Sequence, residues 1–316
     1  MDRDYVSDLK PGKSVFLKGW IYEIRNLAKA KFLLLRDSSG IVQCVLKPET
    51  KGFKEELTLE SVVEVTGKVK NAKLTNEEIT SKNIEVDVSE LKLLSRAEEL
   101  PMQVNEKAAK AELPTRLDYR YLDLRKPRVS AIFKIQSTII NSFREFFHKK
   151  EFAEIQPPGI IATSTEGGTD LFSIDYFGRK AYLAQSPQLY KQLAAISLEK
   201  VFSTSTVWRA EKHDTRKHIN DIRQMDIEVA FANDIEIMKY LEEAVKFIIE
   251  KVIKECKSEL DLLGLKLKVP GVKYLTYNEA INLLNKHGFK LKTGDDFEPE
   301  AEKKLSSLFP DTVIFT

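Results

Sequence analysis

Cysteine and histidine are scarce in this 316-residue sequence, which contains two cysteines and four histidines. Cys44 and Cys256 lie far apart, without a CxxC pair or a histidine cluster nearby, so we predict neither a disulfide framework nor a zinc site. The N-terminal residues are polar, which argues against a signal peptide, and no apolar run approaches the roughly 20 residues of a transmembrane helix. These absences predict a cytoplasmic protein that makes no membrane contact.

A strong charge of one sign is also missing, because 50 Lys and Arg residues face 48 Asp and Glu residues, for a formal net charge of +2. The chain is therefore not a generally basic nucleic-acid coat, and any contact with a nucleic acid must come from a local patch. Hydrophobic residues make up 42% of the chain and charged residues 31%, which is typical of a globular protein with sizeable cores. The length predicts two domains.

The strongest local pattern consists of two alternating, β-rich runs, 201–210 and 222–231, joined by a basic loop. Side chains of a strand point to opposite faces in turn, so the second run has one polar face and one apolar face. Arg209 and Glu211 are two positions apart on the first strand, so their side chains are expected on the same face. The polar face carries Gln224, Asp226 and Glu228, and the face that we expect in the core carries Met225, Ile227, Val229 and Phe231.

A row of fixed charges below a cationic loop suits a polyphosphate with an amine or a base beside it. Guanidinium groups bind phosphates bidentately, and carboxylates accept hydrogen bonds from amino groups. The alternative is an ordinary solvated hairpin with surface ion pairs, which spacing alone leaves equally open. Two of the four histidines, His213 and His218, lie in this loop, but no third ligand is nearby to complete a metal site.

The segment 208–211 (WRAE), the basic loop and the segment 225–228 (MDIE) resemble motif 2 of the class II aminoacyl-tRNA synthetases, in the aspartyl/asparaginyl subgroup. The resemblance implies that ATP is a substrate and that Arg209 is the catalytic residue, bound to the α-phosphate. It assigns Glu211 to the adenine amino group and His218 to the terminal phosphates. It places Lys212, Arg216 and Lys217 at the acceptor end of the tRNA. The substrate carboxylate itself attacks the α-phosphate, so we expect catalysis by positioning and charge stabilisation.

Residues 1–95 contain several short β-rich runs separated by turn signals, which predict an OB-fold barrel. This part resembles the N-terminal anticodon-binding barrel of the same subgroup. An exposed aromatic residue on such a barrel can stack on a base, although an isolated Phe32 is also read as a core strand residue. The resemblance implies four anticodon contacts, at Arg25, Phe32, Gln43 and Glu78.

Residues 96–115 are charged and interrupted by prolines, which predicts a hinge between the domains. Residues 116–316 resemble the class II catalytic domain, an antiparallel sheet flanked by helices, so the expected class is a multidomain α+β protein.

Residues 130–148 have helical apolar spacing, and a strand follows at 152–156. Helix, strand and Pro158 resemble motif 1, which implies that Pro158 lies at the interface of a homodimer; an ordinary helix–strand unit is the alternative.

Two further segments resemble the substrate-binding parts of the subgroup. The glycine pair after Glu166 suits a mobile loop, and the resemblance implies that Glu166 contacts the ammonium group of the amino acid. Residues 185–192 (QSPQLYKQ) imply that Ser186 and Gln188 orient the substrate and that Lys191 pairs with its side-chain carboxylate. A buried site that pairs a carboxylate rejects the neutral amide, so we expect aspartate rather than asparagine. A solvated helix lysine is the alternative for Lys191 alone.

The late motif 3 of class II enzymes, GxGxxxGxxR, is absent from the sequence. We therefore expect a fragment or one half of a split enzyme without a complete ATP site. The expected ligands of Mg²⁺ and the substrate-binding arginine would lie beyond residue 316, and no metal ligands are predicted within the chain. The resemblance implies an aspartate–tRNA ligase with tRNA(Asp), ATP and L-aspartate as partners. An asparaginyl-type relative and a non-catalytic tRNA-binding paralogue remain as alternatives, and the use of tRNA(Asn) stays open.

Overall fold

A computed structural model describes residues 2–27, 29–105, 111–165, 170–212 and 219–316. The chain divides into two compact units, Met1–Ser130 and Ala131–Thr316. Within the described ranges, no helix is both long enough and apolar enough to cross a membrane.

The first unit contains a closed five-stranded barrel, which confirms the predicted OB-type fold. Alternation places one side chain in two in its interior, where Leu17, Leu33, Cys44 and Val65 are fully or almost fully buried. Four of the five strands extend beyond the run that predicted them, whereas β3 coincides with its predicted run, 41–46. The barrel order is β1-β2-β3-β5-β4, with β1 at Ser14–Leu27, β2 at Ala30–Arg36, β3 at Ile41–Leu46, β4 at Val62–Asn71 and β5 at Ile84–Ser95.

The segment that follows the barrel belongs to the same compact unit. Met102, Val104 and Leu122 are buried in a second cluster, together with Tyr22 and Leu34 from the outer face of the barrel. This part of the chain is thus held by apolar contacts to the barrel. It includes two short helices, α1 at Leu113–Asp118 and α2 at Arg120–Asp123.

The second unit is built around a mixed sheet with helices packed on it. Strands β10 (Lys200–Trp208) and β11 (Asp221–Val229) are antiparallel, whereas the two-residue strand β6 (Ala153–Glu154) pairs in parallel with β10. Strands β7, β9 and β8 form a separate antiparallel sheet. The bounds are α3 Pro127–Lys149, β6 Ala153–Glu154, β7 Ile160–Ile161, β8 Ser173–Tyr176, β9 Arg179–Leu183, α4 Gln188–Leu198, β10 Lys200–Trp208, β11 Asp221–Val229, α5 Asp234–Glu255 and α6 Lys257–Leu263.

Aromatic residues form the core beneath this sheet. Phe143, Phe146 and Phe147 come from α3 at helical spacing, and they meet Phe152 and Phe202. The Phe147 side chain is fully buried, and its ring centroid lies 4.9 Å from that of Phe152 in an edge-to-face arrangement, which aromatic pairs prefer. These contacts fix β10 against α3.

The last described residues form a small layer of their own. Its core contains Ala280, Leu284, Ala301 and Leu305 from two helices. Two parallel strands close it. The elements are β12 Gly271–Tyr274, α7 Tyr277–Lys286, α8 Pro299–Ser307 and β13 Thr312–Phe315.

Candidate functional site

The β10–β11 hairpin presents the predicted polar face. The register pairs Ser203 with Asp226 and Ser205 with Gln224, and directly paired residues of antiparallel strands point to the same side. Glu228, opposite Val201, continues this row. We call the face formed by Ser203, Ser205, Gln224, Asp226 and Glu228 the polar floor.

The opposite face is only partly apolar, which corrects the prediction for two residues. Ile227 and Val229 pack against the aromatic core, but Met225 is 39% exposed and Phe231 is 94% exposed. Phe231 lies beyond the end of β11 with a positive φ of 59°, so strand alternation no longer applies to it.

Met225 is exposed where the hairpin rests on polar groups rather than on the aromatic core. Its cross-strand partner Thr204 donates to Oε1 of Glu154 (3.2 Å). Nη2 of Arg144, on α3, donates to Oγ1 of the same threonine (2.5 Å). Because these groups occupy the space beneath this part of β10, the apolar face of the hairpin is interrupted there.

Lys191 lies on the polar floor. It belongs to the first turn of α4, and its Nζ is 3.1 Å from Oδ1 of Asp226 and 3.6 Å from Oε2 of Glu228. Its side chain is only 12% exposed, so the alternative of a solvated lysine is wrong. The two carboxylates that hold this ammonium group were not predicted as its partners.

The segment before α4 is held by buried hydrogen bonds. Ser186 is 2% exposed, and its Oγ accepts from the backbone N–H of Gln188 (3.2 Å). Oγ of Ser164 donates to Oε1 of the fully buried Gln185 (3.1 Å), and Oγ1 of Thr165 donates to the carbonyl of Ser186 (3.0 Å). The chain that leads into the glycine-containing loop is therefore tied to the predicted substrate segment. Glu166 lies outside the described residues.

The other end of that loop is tied to the hairpin. The carbonyl of Asp170 accepts from the N–H of Ala210 (3.0 Å), and the N–H of Arg209 continues the strand pairing to Asn220 (3.0 Å). Arg209 and Glu211 are both half-buried. Lys212 is largely exposed, with Nζ 3.5 Å from Oδ2 of Asp170. The predicted contacts Arg216, Lys217 and His218 lie outside the described residues.

Of the predicted anticodon contacts, Arg25 and Phe32 are cross-strand partners on the outside of the barrel. Phe32 is half-buried and is not part of the barrel core, which removes the core-residue alternative. Nε of Arg25 donates to Oε1 of Glu23 (2.7 Å).

The other two anticodon candidates are Gln43 and Glu78. Gln43 pairs with Leu34 on β2, and its Nε2 donates to Oε2 of Glu85 (2.9 Å). Oε1 of Glu78 accepts from the hydroxyl of Tyr22 (3.0 Å). Arg25, Phe32 and Gln43 therefore lie on the outside of the barrel, and Glu78 lies against Tyr22, which the segment after the barrel covers.

Pro158 is exposed, in the segment that follows α3 and β6, so the predicted order of helix, strand and proline is present. Among the residues that the structure describes, no three His, Cys, Asp or Glu side chains come close enough to hold a metal ion.

Ser203 and Ser205, which also belong to the floor, were not predicted as members of the polar face. Strand alternation could have identified them, because residues 203, 205, 207 and 209 lie on one face of the strand and residues 202, 204, 206 and 208 lie on the other.

The comparisons with known proteins agree over both units. The family "tRNA synthetases class II (D, K and N)" matches residues 112–309, and the family "OB-fold nucleic acid binding domain" matches residues 15–94. The aspartate–tRNA(Asp/Asn) ligase of Methanopyrus kandleri is 41% identical over 326 aligned positions, which cover 99% of this chain and 74% of that protein. The aspartate–tRNA(Asp) ligase of Thermoplasma volcanium is 38% identical and covers 100% of this chain and 74% of that protein.

Solved structures lead to the same group. The asparaginyl-tRNA synthetase of Pyrococcus horikoshii, complexed with asparaginyl-adenylate, has a TM-score of 0.86 at 33% identity and covers 99% of this chain and 74% of that one. The aspartyl-tRNA synthetase of Entamoeba histolytica has a TM-score of 0.83 at 30% identity and covers 97% of this chain and 68% of that one. The chain thus belongs to the class II aminoacyl-tRNA synthetases of the D, K and N group, a family of aminoacyl-tRNA ligases.

Proposed function

We propose that the protein is an aspartate–tRNA ligase, which activates L-aspartate with ATP and transfers it to tRNA(Asp). The observation that carries this proposal is the position of Lys191, which is shielded from solvent on the polar floor. Curated relatives support the same substrate, because the proteins at 38–42% identity over nearly the whole chain are named aspartate–tRNA ligases.

The contacts of Lys191 suit a role in selecting a carboxylate. Asp226 and Glu228 hold its ammonium group in one place. An ammonium group has three N–H donors, and within the described residues only Oδ1 of Asp226 lies at hydrogen-bond distance from it. A further donor is left for the side-chain carboxylate of aspartate. The neutral amide of asparagine gains less from a fixed cation.

In the proposed reaction, the α-carboxylate of aspartate attacks the α-phosphate of ATP, the bond between the α-phosphorus and the β-phosphate oxygen breaks, and pyrophosphate leaves as the aspartyl-adenylate forms. We infer that the guanidinium of Arg209, at the end of β10, binds that phosphate and stabilises its developing charge. Glu211 would accept from the adenine amino group, and His218 would bind the terminal phosphates. Mg²⁺, when bound with ATP, neutralises part of the polyphosphate charge.

We propose that Arg25, Phe32, Gln43 and Glu78 bind the anticodon and that Lys212, Arg216 and Lys217 meet the acceptor end. The half-exposed Phe32, beside Arg25 on the neighbouring strand, supports a stacking role. Relatives are named both for tRNA(Asp) and for tRNA(Asp/Asn), so either specificity fits. A cytoplasmic homodimer with Pro158 at its interface, without a membrane contact, completes the proposal.

An asparaginyl enzyme is the second candidate, and two observations favour it. The protein of known structure with a TM-score of 0.86 is an asparaginyl-tRNA synthetase. In addition, two carboxylates already face the single cation of Lys191, which weakens the attraction of a third carboxylate. Direct measurement of amino-acid binding separates the two candidates.

The test is calorimetric titration of the chain with L-aspartate and with L-asparagine, followed by ATP–pyrophosphate exchange with each. We expect aspartate to bind more tightly, and we expect Lys191→Met to remove the difference while Lys239→Met, on the exposed face of α5, leaves it unchanged. A preference for asparagine would move the assignment to the asparaginyl enzyme. Failure to bind either amino acid would favour the non-catalytic paralogue. Exchange with aspartate would show that the expectation of an incomplete ATP site was wrong.

A further inference from the structure

The hairpin that joins β8 to β9 ends in an exposed aromatic pair. Tyr176 and Arg179 are cross-strand partners, and the two-residue turn between them consists of residues 177 and 178. Phe177 is 90% exposed and Tyr176 is 48% exposed, and their ring centroids lie 4.8 Å apart in an edge-to-face arrangement. We call Tyr176, Phe177 and Arg179 the aromatic tip.

Phe177 is an unfavourable residue for this turn. Both central residues have a positive φ, 54° at Phe177 and 75° at Gly178, as in a type I′ turn, for which Asn-Gly is the preferred pair. A bulky side chain rarely adopts this backbone conformation. The N–H of Gly178 donates to Oδ1 of Asp175 (2.9 Å), which holds the turn in place. Hairpin stability therefore does not account for the phenylalanine, and strained residues of this kind cluster where proteins contact ligands.

A cation lies beside the aromatic pair. Directly paired residues of antiparallel strands point to the same side, so Arg179 lies on the Tyr176 side of the hairpin. Arg179 is exposed, and within the described ranges its side chain forms no ion pair. Lys180 faces the other side, opposite Asp175, and its Nζ lies 5.4 Å from the ring centroid of Tyr182. The aromatic tip thus combines a largely exposed ring with a positive charge that no carboxylate neutralises.

This combination selects one class of partner. Bases of single-stranded nucleic acids stack on exposed aromatic rings, and guanidinium groups bind phosphates. A purely apolar partner surface would bury the guanidinium without a counter-charge, which is costly. The strand β9 spans five residues, roughly 17 Å at about 3.3 Å per residue, between the aromatic tip and the chain that leads to Ser186. An RNA whose end reaches the substrate segment can therefore contact the tip as well.

We propose that the aromatic tip stacks on an unpaired base near the 3′ end of the bound tRNA. This inference rests on the proposed function and deepens it, since none of the predicted tRNA contacts belongs to this hairpin. The ring of Phe177 meets the base, and the guanidinium of Arg179 binds a neighbouring phosphate. The hydrogen bond from Gly178 to Asp175 fixes the turn that presents the ring.

The experiment compares the full chain with its variant Phe177→Asn, which suits the turn but removes the ring. Phe231→Asn is the matched control, because Phe231 is also exposed and also has a positive φ. Fluorescence anisotropy measures binding of a tRNA(Asp) transcript, and calorimetry measures binding of L-aspartate. Loss of one stacked base predicts a roughly tenfold lower tRNA affinity for Phe177→Asn. The control should keep its tRNA affinity, and both variants should keep their aspartate affinity.

Two further measurements test how the aromatic tip acts. Arg179→Gln should weaken tRNA binding and reduce the slope of log affinity against log salt by about 0.7, the effect of one lost phosphate contact on a single strand. Phe177→Asn should leave the thermal unfolding temperature of the free protein unchanged or raise it, because asparagine adopts a positive φ more readily. A lower unfolding temperature with equal loss of tRNA and aspartate binding would make Phe177 structural and overturn the proposal.

The remaining outcomes separate the aromatic tip from the proposed function. If the wild-type chain binds tRNA and aspartate and Phe177→Asn binds tRNA equally well, the tip is not an RNA contact and the aspartate ligase stands. A change of molar mass in light scattering caused by Phe177→Asn would assign the tip to contact between copies of the chain, which also overturns the RNA contact. If the wild-type chain binds no tRNA, the inference fails together with the tRNA part of the proposed function.

Discussion

Burial is the main cause, followed by the negative charge of Glu85, of the low reactivity expected for Cys44, one of the two cysteines of the chain. Cys44 is fully enclosed in the barrel, and its burial raises the pKa of the thiol to about 12. The thiolate is the reactive form, so at pH 8 almost none of it is present and reagent cannot reach it.

We expect Cys44 and the equally buried Cys256 to resist Ellman's reagent in the native protein. Both thiols should titrate once guanidinium chloride unfolds the chain. Peptide mapping after a short native exposure identifies any modified cysteine. Rapid native labelling of Cys44 would mean that the barrel opens far more readily than its packing indicates.

Asp123 is a buried carboxylate with a defined pH signature. Its side chain is fully buried and bound by Arg116 and Arg120, and the hydrogen bonds from Arg116 hold the pKa of this carboxyl below its usual range. A lowered folded-state pKa contributes stability above the unfolded value of about 3.9. That contribution is lost as the pH falls through the lower folded-state pKa.

Asp123→Asn should therefore lower the free energy of unfolding at pH 7 by roughly 2 kcal/mol, because hydrogen bonds to a charged group are lost, whereas the partly exposed Arg116 and Arg120 regain contact with water. The unfolding free energy of the variant should also decrease less than that of the wild type as the pH falls in the acid range. Urea unfolding of both proteins between pH 3 and pH 7 measures this. Parallel curves for the variant and the wild type would contradict the assignment.

At the scale of elements, α5 carries a complete N-terminal cap. The Asn233 side chain accepts from the N–H of Glu236 (3.0 Å), and the Glu236 carboxylate accepts from the N–H of Asn233 (2.9 Å). This reciprocal capping box satisfies two backbone donors that the helix itself cannot.

We expect Asn233→Ala to lower the free energy of unfolding of the second unit by about 1 kcal/mol, whereas Asn233→Gly lowers it by only a few tenths. Both variants keep the core unchanged, so denaturant midpoints compare them directly. Equal effects of the two substitutions would exclude the cap as the cause.

At the scale of the whole molecule, the two compact units have separate cores and one tryptophan each. Trp20 lies on β1 of the barrel, and Trp208 ends β10 in the second unit. Single-tryptophan variants, Trp208→Phe and Trp20→Phe, can therefore report the unfolding of each unit by fluorescence.

Phe147→Ala removes the centre of the aromatic core of the second unit. We expect a loss of about 3–5 kcal/mol in the unfolding free energy reported by Trp208. The transition reported by Trp20 should not change. Leu33→Ala, inside the barrel, is the matched control. It should lower the unfolding free energy reported by Trp20 and leave the transition reported by Trp208 unchanged. A shift of both transitions by Phe147→Ala would show that the units unfold as one.

Local patterns in the sequence were sufficient to predict many of the strands, one long helix and the family of this protein. Alternation predicted the five barrel strands and the part of the polar floor on β11, helical spacing predicted α3, and the segments around Arg209 and Lys191 indicated the family. These features depend on residues close together in the chain, where the geometry of a strand or helix fixes the faces. Alternation failed at Met225 and Phe231, where the packing below the strand and the strand end decide exposure.

Only the tertiary structure decided which distant residues meet. Lys191 and Asp226 are 35 positions apart, and the pairing of Ser203 with Asp226 follows from one particular strand register. A shift of one residue would send every side chain of β11 to the opposite face. Composition and spacing do not encode that register by themselves, because the packing of both faces at once selects it.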